Sequence, residues 1–275
     1  MTTSGPDFEG RNWEGWTEPT IVDVAGTPTA YRRAGTGETL VYLHPGGGTR
    51  EWTPLLEKLS RHYDVIAPEH PGFGDTPRGP EQDTWEEFVL HYDGFFRALG
   101  LEKFHLVGTS FGSWLAAELA VFYPDRFTTL SLVTPMGVLV EEDPFIDIFR
   151  LTPAQEDERM FNGRSYPPAY QETEADAIVQ RYYEMTTVAQ LAWSPRYDRR
   201  LSFRLARYTA PSLVIGVDDD RLLGTGQAAT YAGYLPQSTL LTIHGPNGEP
   251  SGHGLTIEQP DEVVAAIVAH TSRAS

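Results

Sequence analysis

Ser110 lies in "HLVGTSFGSW" (105 to 114), where an apolar run enters Gly108-Thr109-Ser110-Phe111-Gly112 and passes straight into a helical pattern. Gly-x-Ser-x-Gly alone is weak, but strand, sharp turn and helix around it form a setting in which a serine can act as a nucleophile. The two glycines fit that setting, because side chains at 108 and 112 would collide with neighbouring backbone while the serine is held outward. A neutral hydroxyl is a poor nucleophile and needs a base with a pKa near neutrality, which points to histidine.

Eight histidines are candidates. His105 falls inside a strand pattern, His62, His91 and His270 in helix-like stretches, and His44 in a glycine loop. His244 ends a strand and is the alternative base. His253 stands apart, in the irregular "HGPNGEPSGHGLTIEQPDEV" (244 to 263) after the last strand and before the last helix. An imidazole that alternates between base and acid needs a carboxylate to hold its tautomer and stabilise its cation. Asp218, Asp219 and Asp220 end the apolar run "APSLVIGV" (210 to 217) and supply three candidates.

The elements that must position these groups are legible as alternation. Apolar, β-branched runs at 39 to 44, 63 to 70, 103 to 110, 127 to 135, 210 to 217 and 238 to 245 are separated by helical patterns, the mark of a parallel sheet wrapped by helices. "TIVDVAGTPTAYRRAGTGE" before them reads as an antiparallel pair covering one sheet edge. Thr84 and Glu87 predict a capped helix whose apolar face runs from Trp85 to Leu99, stopped by Gly100. Small residues on the helix from 111 to 126 allow it to lie close to the sheet, and a last helix begins at Pro260. About seventy residues between "LVTPMG" and "APSLVIGV" contain no convincing strand, so 138 to 209 is expected to be a helical insertion over the carboxyl ends of the strands. The expected organisation is a polar extension over 1 to 20, a core of 21 to 137 and 210 to 275, and a cap over 138 to 209.

With "LHPGGG" (43 to 48), "EHPGFGDT" (69 to 76), "GTSFGS", "PSLVIGVDDDRLL" and "GHGLTIEQP", the sequence resembles the α/β-hydrolase superfamily from about residue 30 to 270. The resemblance implies an eight-stranded, mostly parallel sheet flanked by helices, with a helical cap. It implies Ser110 as nucleophile, His253 as base and Asp220 as acid, in the chain order expected of that fold. The Gly216-Val217 order departs from the family pattern and leaves Asp219 as the alternative acid. It also implies an oxyanion hole from the backbone N–H groups of Gly46 and Phe111, worth roughly 3 kcal/mol each to the transition state. Pro45 replaces the usual glycine after His44, which is harmless if the donor is the next residue. A phosphate-binding reading of the glycine loop lacks the Lys-Ser/Thr that would complete it.

The implied reaction is hydrolysis of a small carboxylic ester or lactone through an acyl-enzyme, with no metal or organic cofactor. Ser110 argues against the epoxide- and halide-removing relatives, which use an aspartate nucleophile. The alternatives are hydrolysis of a carbon–carbon bond in a ring-cleavage product, acyl transfer to an alcohol, and ligand binding without catalysis on the same fold. Carbon–carbon hydrolases commonly carry tryptophan immediately after the histidine, where this chain has Gly254. Aromatics of the insertion, Phe145, Phe149, Phe161, Tyr182, Tyr183 and Trp193, are candidates to line an apolar or aromatic pocket.

Composition bounds the partners. A net charge of −17 would repel phosphate backbones and anionic membrane surfaces and is easier to reconcile with a neutral or mildly cationic small molecule. The absence of cysteine excludes disulfides, thiolate zinc sites and a cysteine nucleophile. The amino terminus has no signal-peptide pattern and no run reaches membrane-spanning length, so the expectation is a cytoplasmic monomer or homodimer.

Overall fold

The computed structural model describes residues 18–141, 146–164 and 175–273. Eight strands form one sheet: β1 (Thr20–Val24), β2 (Thr27–Ala34), β3 (Thr39–Leu43), β4 (Asp64–Pro68), β5 (Phe104–Thr109), β6 (Phe127–Val133), β7 (Ser212–Val217) and β8 (Ser238–Ile243). Their spatial order is β1-β2-β4-β3-β5-β6-β7-β8. β2 pairs antiparallel with β1 and β4, and every later pairing is parallel. β5 and β7 are buried along their whole length, which is why their sequences are mostly apolar rather than alternating.

Nine α-helices accompany the sheet among the described residues: α1 (Pro54–Leu59), α2 (Trp85–Ala98), α3 (Phe111–Phe122), α4 (Pro153–Met160), α5 (Ala175–Ala192), α6 (Arg199–Leu205), α7 (Gly226–Tyr234), α8 (Leu255–Glu258) and α9 (Pro260–Thr271). Thr84 caps α2 by accepting from the Glu87 N–H at 3.3 Å, and Gly100 ends it at φ +67°. The buried face of α2 carries Phe88, Tyr92, Phe95 and Phe96 into a core shared with α3, α6 and α7. The opposite face of the sheet packs on α1 and α9 through Leu55, Leu59, Val263 and Ile267. No helix of the described residues is long and apolar enough to cross a membrane.

Two features position a site. The chain adds β4 on one side of β3 and β5 on the other, so the strand order reverses between β3 and β5. A crevice opens outside the carboxyl ends at such a reversal, and the loops after these two strands are the glycine loop and the Ser110 turn. The second feature is the stretch between β6 and β7, whose described elements are helical. α5 sits against the loops that follow β3 and β4: the Thr187 hydroxyl donates to Gly72 O at 3.4 Å, and Gln180 Nε2 donates to Gly74 O at 3.2 Å.

Candidate active site

The turn after β5 is as tight as its glycines require. Ser110 has φ +52° and ψ −114°, in the region that costs a side chain about 1–2 kcal/mol. A Cβ at Gly108 would lie 2.3 Å from Gly112 O, and one at Gly112 would lie 2.2 Å from Leu43 O. Glycine at 112 therefore lets α3 touch the end of β3. The Ser110 N–H donates to Val133 O at 2.9 Å, and the Ser113 hydroxyl bonds Gly108 O at 2.6 Å, so the strain is held by neighbours on both sides.

His253 reaches Ser110 across 143 residues of chain. Its Nε2 lies 3.0 Å from Ser110 Oγ and its Nδ1 2.8 Å from Asp220 Oδ2. An ionised carboxylate only accepts, so Nδ1–H donates to Asp220, and Nε2 is left to accept the serine hydroxyl proton. All three residues are buried. Asp220 Oδ1 accepts from the N–H groups of Leu222 at 3.0 Å and Leu223 at 2.8 Å, which orients the carboxylate. The other members of the acidic triplet go elsewhere. Asp219 pairs with Arg221, and Asp218 accepts from the Ser251 N–H at 2.6 Å and faces His244 at 3.0 Å. His244 is largely exposed and lies against Asp218, away from Ser110.

The irregular Gly216-Val217 order also has a local cause. A Cβ at Gly216 would lie 2.7 Å from Ala228 Cβ, so the glycine lets α7 approach β7. The loop bearing His253 is gripped by the turn after α4. Met160 O accepts from the Gly254 N–H at 2.9 Å, Asn162 Nδ2 donates to Asp219 O at 3.0 Å, and Arg164 forks onto Glu258 at 2.6 and 2.8 Å while reaching Pro250 O. Phe161, fully buried, occupies the space beside Gly254, where a Cβ would lie 2.3 Å from its ring.

Gly46 and Phe111 both line the cavity that contains Ser110 and His253. Phe111 opens α3, so its N–H has no intrahelical acceptor. The loop that carries Gly46 is set by a pair of stacked rings, His44 and His70, with centroids 3.6 Å apart. His44 Nε2 accepts from the His70 N–H at 3.0 Å, so its Nδ1–H donates to Pro45 O at 2.6 Å. His70 Nε2–H in turn donates to His44 O at 2.9 Å and its Nδ1 accepts from Tyr92 at 2.5 Å. In this arrangement each ring carries a single proton, so both imidazoles are neutral. Burial pushes His44 down to about 3 and drives His70 well below the usual histidine range, in agreement with that bookkeeping.

The cavity measures about 190 Å³. Its apolar wall includes Met136, Ile148, Met160, Met185, Val188, Leu222 and Leu223, and its polar wall includes Glu156, Asp157, Arg181 and Glu184. The aromatics expected there do not supply it. Phe145 lies outside the described residues. Phe149 packs near Trp193 at 6.3 Å between ring centroids, while Tyr182, Tyr183 and Trp193 are exposed, and neither these residues nor the buried Phe161 line the cavity. The helical stretch turns methionine, valine and isoleucine inward instead, a selection that periodicity along α5 does not disclose because the helix is amphipathic only weakly. Phe161, expected as a pocket aromatic, instead packs beside Gly254, whereas nothing in the sequence marks His70, Asn162 and Glu184 as functional positions and only their partners far along the chain reveal them.

The profile described as "Alpha/beta hydrolase family" matches residues 40–266. The chain belongs to this family. Among relatives in the family, the 2-hydroxy-6-oxo-6-(2'-aminophenyl)hexa-2,4-dienoic acid hydrolase of Metapseudomonas resinovorans is 27% identical over 275 aligned residues, spanning 92% of this chain and 90% of that one. The 2-hydroxy-6-oxo-2,4-heptadienoate hydrolase of Pseudomonas putida is 35% identical over 127 residues, 44% of this chain and 46% of the relative. A meta-cleavage product hydrolase from Pseudomonas fluorescens IP01 has the same fold, with a TM-score of 0.76 at 21% identity over 94% of this chain and 99% of that one. The family match makes the chain an α/β hydrolase, and the full-length relative hydrolyses a dienoic acid, the carbon–carbon alternative rather than the ester.

Proposed function

We propose that this chain is a serine hydrolase that cleaves a small substrate at a carbonyl carbon through an acyl-enzyme on Ser110. The relay of 3.0 and 2.8 Å from Ser110 through His253 to Asp220 carries this reading. Ser110 Oγ attacks the carbonyl carbon as His253 Nε2 takes its proton, and Asp220 stabilises the imidazolium. The oxyanion accepts hydrogen bonds from the Gly46 and Phe111 N–H groups. Collapse expels the leaving group, which receives the proton from His253, and water then repeats the sequence against the acyl-enzyme. Residues 138–209 act as the cap over this cavity.

The relatives weigh toward a carbon–carbon bond beside a ketone. A carbon departs only if conjugation accepts its electron pair, which the dienoic acids named for those relatives can do. Two observations favour the ester as second reading. Tryptophan after the base has no room in this chain, because Phe161 fills the place beside Gly254. The cavity wall also bears more carboxylates than guanidiniums, an awkward surround for a substrate acid.

The test is turnover of a panel of dienoic-acid ring-cleavage products and short-chain acyl esters, with Ser110→Ala as control and fluorophosphonate labelling of the wild type. Stoichiometric labelling at Ser110 with loss of turnover in Ser110→Ala is expected. An unlabelled, inert protein would sink the hydrolase reading, and the preferred arm of the panel assigns the bond.

A further inference from the structure

Glu184 is a buried carboxylate on α5 that lines the cavity containing Ser110. Three donors converge on one of its oxygens. Oε1 accepts from the Thr49 hydroxyl at 2.5 Å, the Gly74 N–H at 3.0 Å and Gln180 Nε2 at 3.0 Å. Oε2 receives no hydrogen bond from the described residues, and none of their cationic side chains pairs with Glu184. The two guanidiniums on the same wall are committed elsewhere, Arg32 to Glu69 at 2.7 Å and Arg181 to Glu156 at 2.7 Å.

A carboxylate that loses water on burial needs a compensating donor or positive charge. The Oε1 cluster fixes the side chain between α5, the glycine loop and the loop after β4, so the second oxygen is held in place at the cavity wall. We propose that Glu184 determines specificity, its free oxygen selecting a substrate that carries an ammonium group. The net charge of −17 draws such a molecule toward the protein, and the same oxygen repels a substrate carboxylate. This deepens the proposed function in one respect only: it takes the cavity as the place where substrate binds, whichever bond is broken.

The test is binding, not turnover. Ser110→Ala protein is titrated calorimetrically with 2-(trimethylammonio)ethyl butanoate and with 3,3-dimethylbutyl butanoate, two esters of one shape that differ in charge. The cation should bind about tenfold more tightly, through an ion pair with a trimethylammonium that donates no hydrogen bond. Adding Glu184→Gln keeps an oxygen for the three donors and removes the charge, so the two affinities should converge, while Glu184→Asp should retain a preference. Equal affinities in Ser110→Ala protein overturn the proposal without recourse to any Glu184 variant. A preference that survives Glu184→Gln overturns it as well. Failure of Ser110 to react with a fluorophosphonate would count against the hydrolase reading and leave the binding result standing by itself.

Discussion

The three aspartates at the end of β7 show how position, not residue type, assigns chemistry. Asp220 is turned inward by the N–H groups of Leu222 and Leu223 and meets His253, while Asp219 and Asp218 hold Arg221 and the loop carrying Ser251. Asp220→Asn should lower kcat by about four orders of magnitude, since an amide at that place favours the wrong imidazole tautomer. Asp219→Asn should change kcat by less than about threefold, the usual reach of an exposed ion pair. Steady-state kinetics on the two variants decides between them, and a crippled Asp219→Asn beside an active Asp220→Asn would reverse the assignment. The family spacing in sequence pointed to Asp220 but kept Asp219 in play. The direction of the side chains depends on hydrogen bonds made after the chain turns, which spacing does not encode.

At the scale of elements, the site is a meeting of loops whose approach is limited by backbone contact. Gly112 is the point where α3 touches the end of β3, so Gly112→Ala should cost about 3 kcal/mol of unfolding free energy, as backbone cannot yield the way a side-chain tip does. Urea denaturation measures this, and a loss under 1 kcal/mol would show that α3 can shift. The turn after α4 is the other constraint, because Arg164 ties the loop before His253 to α8 through Glu258 and Pro250. Arg164→Ala should loosen His253, lowering kcat severalfold with KM nearly unchanged, while Arg164→Lys recovers only part of the loss because it cannot fork. The strands and α2, α3 and α9 were legible from pattern, and the hairpin before β3 was legible from its turn residues. The grip of one turn on a loop about ninety residues away was not, since nothing local in "MFNGR" marks it as a clamp.

Across the whole molecule, buried ionisable groups make stability depend on pH with opposing signs. Burial lowers His44 to about 3 and His91 to about 4, and lowers His70 as well. Unfolded, these rings titrate near 6.5, so between about pH 6.5 and 4 the unfolded chain takes up protons that the folded chain refuses, and stability falls as pH falls. Glu118 works the other way. Burial is the chief cause that raises it to about 7, so its contribution is full below about 4.5 and is lost as pH rises toward 7. Burial also lowers His105 and His270 and raises Glu69 and Asp157, so five histidines outweigh three carboxylates, unfolding free energy should climb from pH 4.5 to 6.5, and Glu118→Gln should steepen the climb by up to about 1.4 kcal/mol per pH unit. Urea unfolding at several pH values reads both slopes, and a flat profile would mean that these rings are protonated in the fold. The sequence by itself determined the layered α/β architecture, the Gly-x-Ser-x-Gly turn and the chain order Ser110, Asp220, His253, because periodicity and turn chemistry are properties of neighbours along the chain. Only the tertiary structure decided which side chains face the cavity, which histidines are locked neutral behind the glycine loop, and that Glu184 has one oxygen held and one without a donor among the described residues. Each of those outcomes depends on contacts between residues that are remote in sequence, and packing alone brings them together.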